Sequence, residues 1–133
     1  MILATIVVLS GCSTMQPPRY SISVDNIQAF KKHENAKLAV SEFTQSAVFQ
    51  PNCRLMGPIE PADGLSFSEF ITKAINDELK MAEIYSKEGV NLIGDITKVD
   101  FSSSSGLTNG FWDISILLTS SNGNALNVSN KYT

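Results

Sequence analysis

The sequence predicts an α+β fold: a mixed, mostly antiparallel sheet of five to six strands with one long helix packed on one face. Three observations lead there. A capped amphipathic segment starts at Ser66, several stretches alternate apolar and polar residues with strand period, and an Asn-Gly dipeptide joins the last two of them. A strand, a helix and a second strand imply a parallel pair with a right-handed crossover, and the strands that follow imply an antiparallel meander.

The elements follow in order. Tyr20, Ile22 and Val24 alternate with Ser21, Ser23 and Asp25, which reads as a first strand. Residues 28–35, with Lys31, Lys32, His33 and Glu34, read as a polar loop. A second strand is expected over residues 37–44, with Leu38 and Val40 on one face, and a third over residues 52–56, stopped by Gly57-Pro58. Residues 57–64 form a turn-rich connection. Ser66-Phe67-Ser68-Glu69 then has the form of a capping box, in which the Ser66 hydroxyl and the Glu69 carboxylate satisfy the N–H groups exposed at a helix start. Phe67, Phe70, Ile71, Ala74, Ile75, Leu79 and Ala82 recur on one helical face, the core face. Glu69–Lys73 and Glu83–Lys87 stand four apart in the favourable order, and the helix should end before Gly89.

Beyond Gly89, Val90, Leu92, Gly94 and Ile96 alternate with polar residues. Val99 and Phe101 then fall on odd positions, so a bulge is expected near Thr97-Lys98. Ser102 to Gly106 and Asn109-Gly110 mark a loop. Trp112, Ile114, Ile116 and Leu118 alternate over the next strand, Ser121-Asn122-Gly123-Asn124 makes a hairpin, and the last strand covers residues 125–132. By alternation Trp112 enters the core, whereas Phe111 and Leu117 fall on the second face as a candidate partner surface. One helix covers only part of such a sheet. The rest meets water, a partner or sequence beyond Thr133, and a chain that stops at a strand favours truncation of a longer product.

The chain opens on an apolar run, Ile2 to Leu9 interrupted only by Thr5, and this run ends in Leu9-Ser10-Gly11-Cys12. That tetrapeptide resembles the lipobox of bacterial lipoproteins, in which a peptidase cuts before the cysteine and the thiol carries a diacylglyceryl group. The resemblance implies a signal peptide over residues 1–11, lipidation at Cys12, a tether over residues 12–19, and a periplasmic α+β domain over residues 20–133. Ser13 after the cysteine implies sorting to the outer membrane. Two or more acyl chains give stable membrane attachment, where one gives only reversible binding. No Lys or Arg precedes Arg19, although a signal peptide begins with positive charge, so the true start is expected upstream of Met1. The run is too short and too interrupted for a transmembrane helix.

Composition narrows the partners. The chain has 133 residues and a net charge of −3, with no basic cluster beyond Lys31-Lys32, so it lacks the electrostatic footprint of a nucleic-acid binder. With Cys12 lipidated, the second of its two cysteines, Cys53, stands alone as a small apolar residue. The one histidine, His33, reads as solvated beside lysines, and no metal or cofactor site is expected. Ser102 to Ser105 reads as a flexible loop. The carboxylate pairs Asp77-Glu78, Glu60/Asp63 and Asp95/Asp100, with Asp113 near the last, read as solvated faces, one of Asp77 and Glu78 standing near the edge. Asn127-Val128-Ser129 matches a glycosylation sequon that has no meaning for a bacterial lipoprotein.

The stretch from Ser66 to Tyr132 is similar in pattern to small α/β periplasmic domains of accessory lipoproteins in outer-membrane assembly and transport, of the YajG and LptE kind. The expectation is a non-enzymatic, membrane-anchored binding or accessory module acting on an envelope protein through a sheet edge or face. The alternatives are an envelope hydrolase using Cys53 or a carboxylate pair, and a secretion-system or immunity-type lipoprotein.

Overall fold

The computed structural model describes residues 16–49, 58–102 and 110–133. The residues expected to form the first strand lead instead into a helix, α1, Val24–Lys31. The Ser23 side chain accepts from Asn26 N–H at 3.3 Å as N-cap, Asp25 lies in the first turn and Lys31 in the last, each favourable to the helix dipole. Ile27 and Phe30, three apart, pack against the core. Three alternating apolar residues lost to this capped helical spacing, and the polar loop expected over residues 28–35 is the last turn of α1 and the turn after it.

The second expected strand divides in two: β1, Leu38–Val40, and β2, Thr44–Gln45, both parallel to the long strand β3, Val90–Ser102. Between them Phe43 turns into the core, where it is 3 % exposed. Gly94 makes that possible, because a Cβ there would lie 2.3 Å from the Phe43 ring. The third strand, expected over residues 52–56, lies outside the described residues.

Helix α2, Phe67–Met81, has both halves of the expected capping box: Glu69 N–H donates to Ser66 Oγ at 3.2 Å and Ser66 N–H to Glu69 Oε2 at 2.7 Å. It stops at Met81, before Gly89, with Ala82 as C-cap and Glu83 at φ 66. The two ion pairs expected along it do not form. The Glu69 carboxylate is taken up by the cap, so Lys73 pairs with Asp77 at 2.5 Å, and Glu83 lies past the helix end. Ile71, Ile75, Leu79 and Ala82 face the core as the periodicity predicts.

Strand β3 pairs antiparallel with β4, Phe111–Ser120, which pairs antiparallel with β5, Ala125–Tyr132. The bulge is where the phase slip puts it: Ile96 faces Ile116 and Lys98 faces Ser115, leaving Thr97 as the extra residue. The β4–β5 loop closes with Gly123 at φ 92, its N–H on Ser120 O at 2.9 Å, while Ser120 N–H reaches Asn124 O at 2.9 Å. This is a three-residue hairpin loop whose glycine takes the left-handed position.

Among the described residues the sheet has five strands in the order β1-β3-β4-β5, with β2 also on β3, and two helices, of which only α2 is long. The fold is α+β, with a mixed and mostly antiparallel sheet. Val40, Phe43, Leu79, Ala82, Ile84 and Ile96 form its buried centre. Leu79, Ile84 and Ile96 are each 1 % exposed, and burial of such a side chain stabilises by about 1.5–3 kcal/mol.

Candidate functional site

The two edges of the sheet are treated differently. In β1 the backbone of Lys37, Ala39 and Ser41 turns to β3, so the groups of Leu38 and Val40 point away from the sheet. Leu38 N–H donates to Ile84 O at 3.0 Å and Leu38 O accepts from Ser86 N–H at 2.8 Å. The Asn76 side chain of α2 then accepts from Val40 N–H at 3.0 Å and donates to Val40 O at 2.8 Å. Thr72, one turn earlier, accepts from Phe43 N–H at 2.9 Å. The segment after α2 and the side chains of α2 thereby close β1 against further pairing.

At the other edge, all eight residues of β5 are exposed. The Ser120–Asn124 bond sets the ladder phase, so Leu126, Val128, Asn130 and Tyr132 turn their backbone groups to β4. The N–H and C=O groups of Ala125, Asn127, Ser129 and Lys131 point outward, and no described residue pairs with them. The side chains on this strand add a second property. Leu126, Val128 and Tyr132 stand opposite Leu118, Ile116 and Trp112 on the helix side of the sheet, yet are 60 %, 44 % and 59 % exposed. Alternation points them at the core, but α2 lies over the β1 side of the sheet and leaves them uncovered.

Phe111 and Leu117 lie on the opposite face of β4. Lys131 Nζ stands 4.5 Å from the Phe111 ring centroid, and Leu117 is partly exposed. Around them this face is polar. Lys98 donates to Asp113 at 2.5 Å, which raises the Lys98 pKa, with Asp100 adding a smaller contribution. Ser115 and Ser129 hydroxyls meet across the strands at 2.9 Å.

A polar cluster that sequence reasoning misses joins the N-terminal segment to α2. Glu78, expected with Asp77 on a solvated face, is 4 % exposed. Its carboxylate accepts from Tyr20 Oη, from Ser23 N–H at 3.0 Å, and from Asn26 Nδ2 at 2.9 Å and 3.1 Å. The bond to Glu78 holds the Tyr20 phenol proton, pushing its pKa up. Ile71, Ile75, Glu78 and Ala82 share one helical face, so a carboxylate in an apolar stripe was the signal for burial. Asp77 stays at the surface, its pKa lowered by the hydrogen bond from Lys73.

The remaining candidates are dispersed. His33 is exposed in the turn after α1. Asp63 pairs with Arg19 at 2.6 Å, while Glu60 is exposed. Asp100 and Asp113 face each other across β3 and β4, but Asp95 sits further along, opposite Leu117. There it accepts from Ser46 Oγ at 2.5 Å and Thr44 Oγ1 at 2.8 Å, which lowers its pKa. The lipobox residues Leu9, Ser10, Gly11 and Cys12, together with Cys53 and Ser103 to Ser105, lie outside the described residues. No group of three metal-ligating side chains occurs among the described residues, and no described helix is long and apolar enough to cross a membrane. The chain matches no family model, no curated protein and no solved structure.

Proposed function

We propose that this protein is a lipid-anchored accessory module of the bacterial envelope, held through Cys12 at the periplasmic face of the outer membrane, that binds a protein partner along β5. The observation that supports the reading is the asymmetry of the sheet: Ile84, Ser86 and Asn76 take up the outward backbone groups of β1, while β5 offers backbone groups unpaired among the described residues beside exposed Leu126, Val128 and Tyr132. A partner strand added there gains main-chain hydrogen bonds, and its alternate side chains cover that apolar row. The role is binding and requires no reaction at Cys53 or at a carboxylate pair.

Two experiments test it. Alkyne-palmitate fed to cells should label the wild type and not Cys12→Ala; equal labelling of both removes the anchor. A photo-cross-linking residue at position 127 of the lipidated chain should trap one envelope protein in membranes. Ser129→Pro, which removes an outward N–H, should abolish that adduct. No adduct, together with turnover of an envelope substrate, overturns the binding reading in favour of an enzyme.

A further inference from the structure

A cleft of about 330 Å3 opens beside α2, walled by Phe67, Phe70, Ile71, Val99, Trp112 and Ile114. Ile59, Pro61, Ile96 and Pro17 complete the described lining. None of these residues carries a charge, and the Trp112 indole N–H is their only side-chain hydrogen-bonding group. Pockets for polar ligands place several polar groups to fix orientation, and pockets in general span roughly 300–1,000 Å3. A cleft whose described lining is uncharged, at the small end of that range, suits a single hydrocarbon chain.

The position of Pro17 names the source of that chain. Pro17 is five residues after Cys12, so an extended segment reaches about 17 Å back to the lipidated thiol. Arg19, paired with Asp63, and Tyr20, bonded to Glu78, fasten the segment to the domain just beyond. An acyl group on Cys12 is therefore confined near the cleft and held there at high effective concentration.

We propose that the cleft seats one acyl chain, the one carried by Cys12 of the same molecule; this rests on the reading of Cys12 as lipidated. The apolar lining of the cleft gives a hydrocarbon chain partial shelter from water outside a bilayer. Docking covers one of the chains on Cys12 while the protein is outside a bilayer, and the bilayer reclaims it on arrival.

Trp112 is the only tryptophan in the chain, and its emission reports the cleft directly. The full chain carrying Cys12→Ser, which bears no lipid, is titrated with 9,10-dibromostearate below its aggregation concentration. Bromine quenches an indole it touches. We expect saturable loss of at least half the emission, reversed by plain stearate. Adding Phe70→Asp or Pro17→Asp should weaken binding at least tenfold. Pro17 precedes the first helix, so its variant decides the matter even if Phe70→Asp fails to fold. Absence of saturable quenching overturns the proposal. So does quenching untouched by Pro17→Asp, which places stearate on the exposed Leu126, Val128 and Tyr132 row.

A second arm fixes the source. The full chain with Cys53→Ser, alkylated at Cys12 by a brominated octadecyl iodoacetamide, should be quenched independently of protein concentration. Quenching that rises with concentration puts the chain in a neighbouring molecule and overturns the assignment to its own Cys12. Palmitate labelling without quenching sinks this inference alone. Quenching of the Cys12→Ser chain without labelling in cells sinks the anchor and leaves a fatty-acid cleft.

Discussion

Removing the Glu78 carboxylate should release the N-terminal segment from the domain. Glu78 is buried and accepts bonds from Tyr20 Oη, Ser23 N–H and Asn26 Nδ2. A hydrogen bond to a charged group contributes about 1.5–3 kcal/mol. Tyr20 is 41 % exposed, so water replaces most of what it loses. The Ser23 and Asn26 donors then set the scale, and Glu78→Ala should cost about 3 kcal/mol at pH 7. Glu78→Gln keeps acceptors for Tyr20 and Ser23 but turns donors toward Asn26, and should cost about half as much. Glu78→Met keeps the volume and removes the desolvation cost of a buried charge, so the gap between Met and Ala measures packing alone.

The assay is urea unfolding followed by Trp112 emission, together with amide exchange. Helix α1 has eight residues, none of them buried, and a helix so short does not persist by itself. In Glu78→Ala the helical amides after Ile27 should exchange at nearly unfolded rates while β3 and β4 stay protected. A change below about 0.5 kcal/mol, the range of ordinary surface substitutions, would refute the argument. So would a Glu78→Gln variant as unstable as Glu78→Ala.

Gly94→Ala puts a methyl group into the Phe43 ring and should cost about 1–3 kcal/mol in a thermal melt, partly restored by adding Phe43→Leu. Unchanged melting would mean that the ring moves aside freely. In β5, Ser129→Pro should leave stability nearly unchanged because its N–H faces outward, whereas Val128→Pro breaks a ladder bond to β4 and should lower the melting temperature; the reverse order would mean the ladder phase is misread. The pH profile of stability should be flat in the middle. Glu69, Asp77 and Asp95 have lowered folded pKa values, so their contributions are complete above their ordinary values near 4 and are lost as pH falls through the depressed ones. Tyr20 and Lys98 are raised, so theirs are complete below about pH 10 and are lost as pH rises past it. A urea midpoint that varies as much between pH 5 and 9 as between pH 3 and 5 contradicts this assignment.

Local, short-range signals were legible in the chain. The Ser66–Glu69 cap, the stripe from Phe67 to Ala82, the slip at Thr97 and the Asn122-Gly123 loop each depend on residues within a few positions of one another, and each appears where the sequence puts it. The same locality explains the failure at Val24. Two periods compete there over a few residues, and the choice was made by Ile27 and Phe30 finding the core and by Ser23 and Asn26 finding Glu78, more than fifty positions away. Only the tertiary structure could decide which donors reach the Glu78 carboxylate, that Phe43 occupies the space left by Gly94, and that the outward groups of β1 are taken up while those of β5 stay open. Period and capping are written in neighbouring residues. Which polar groups find partners, and which apolar rows find cover, depends on what the fold brings beside them.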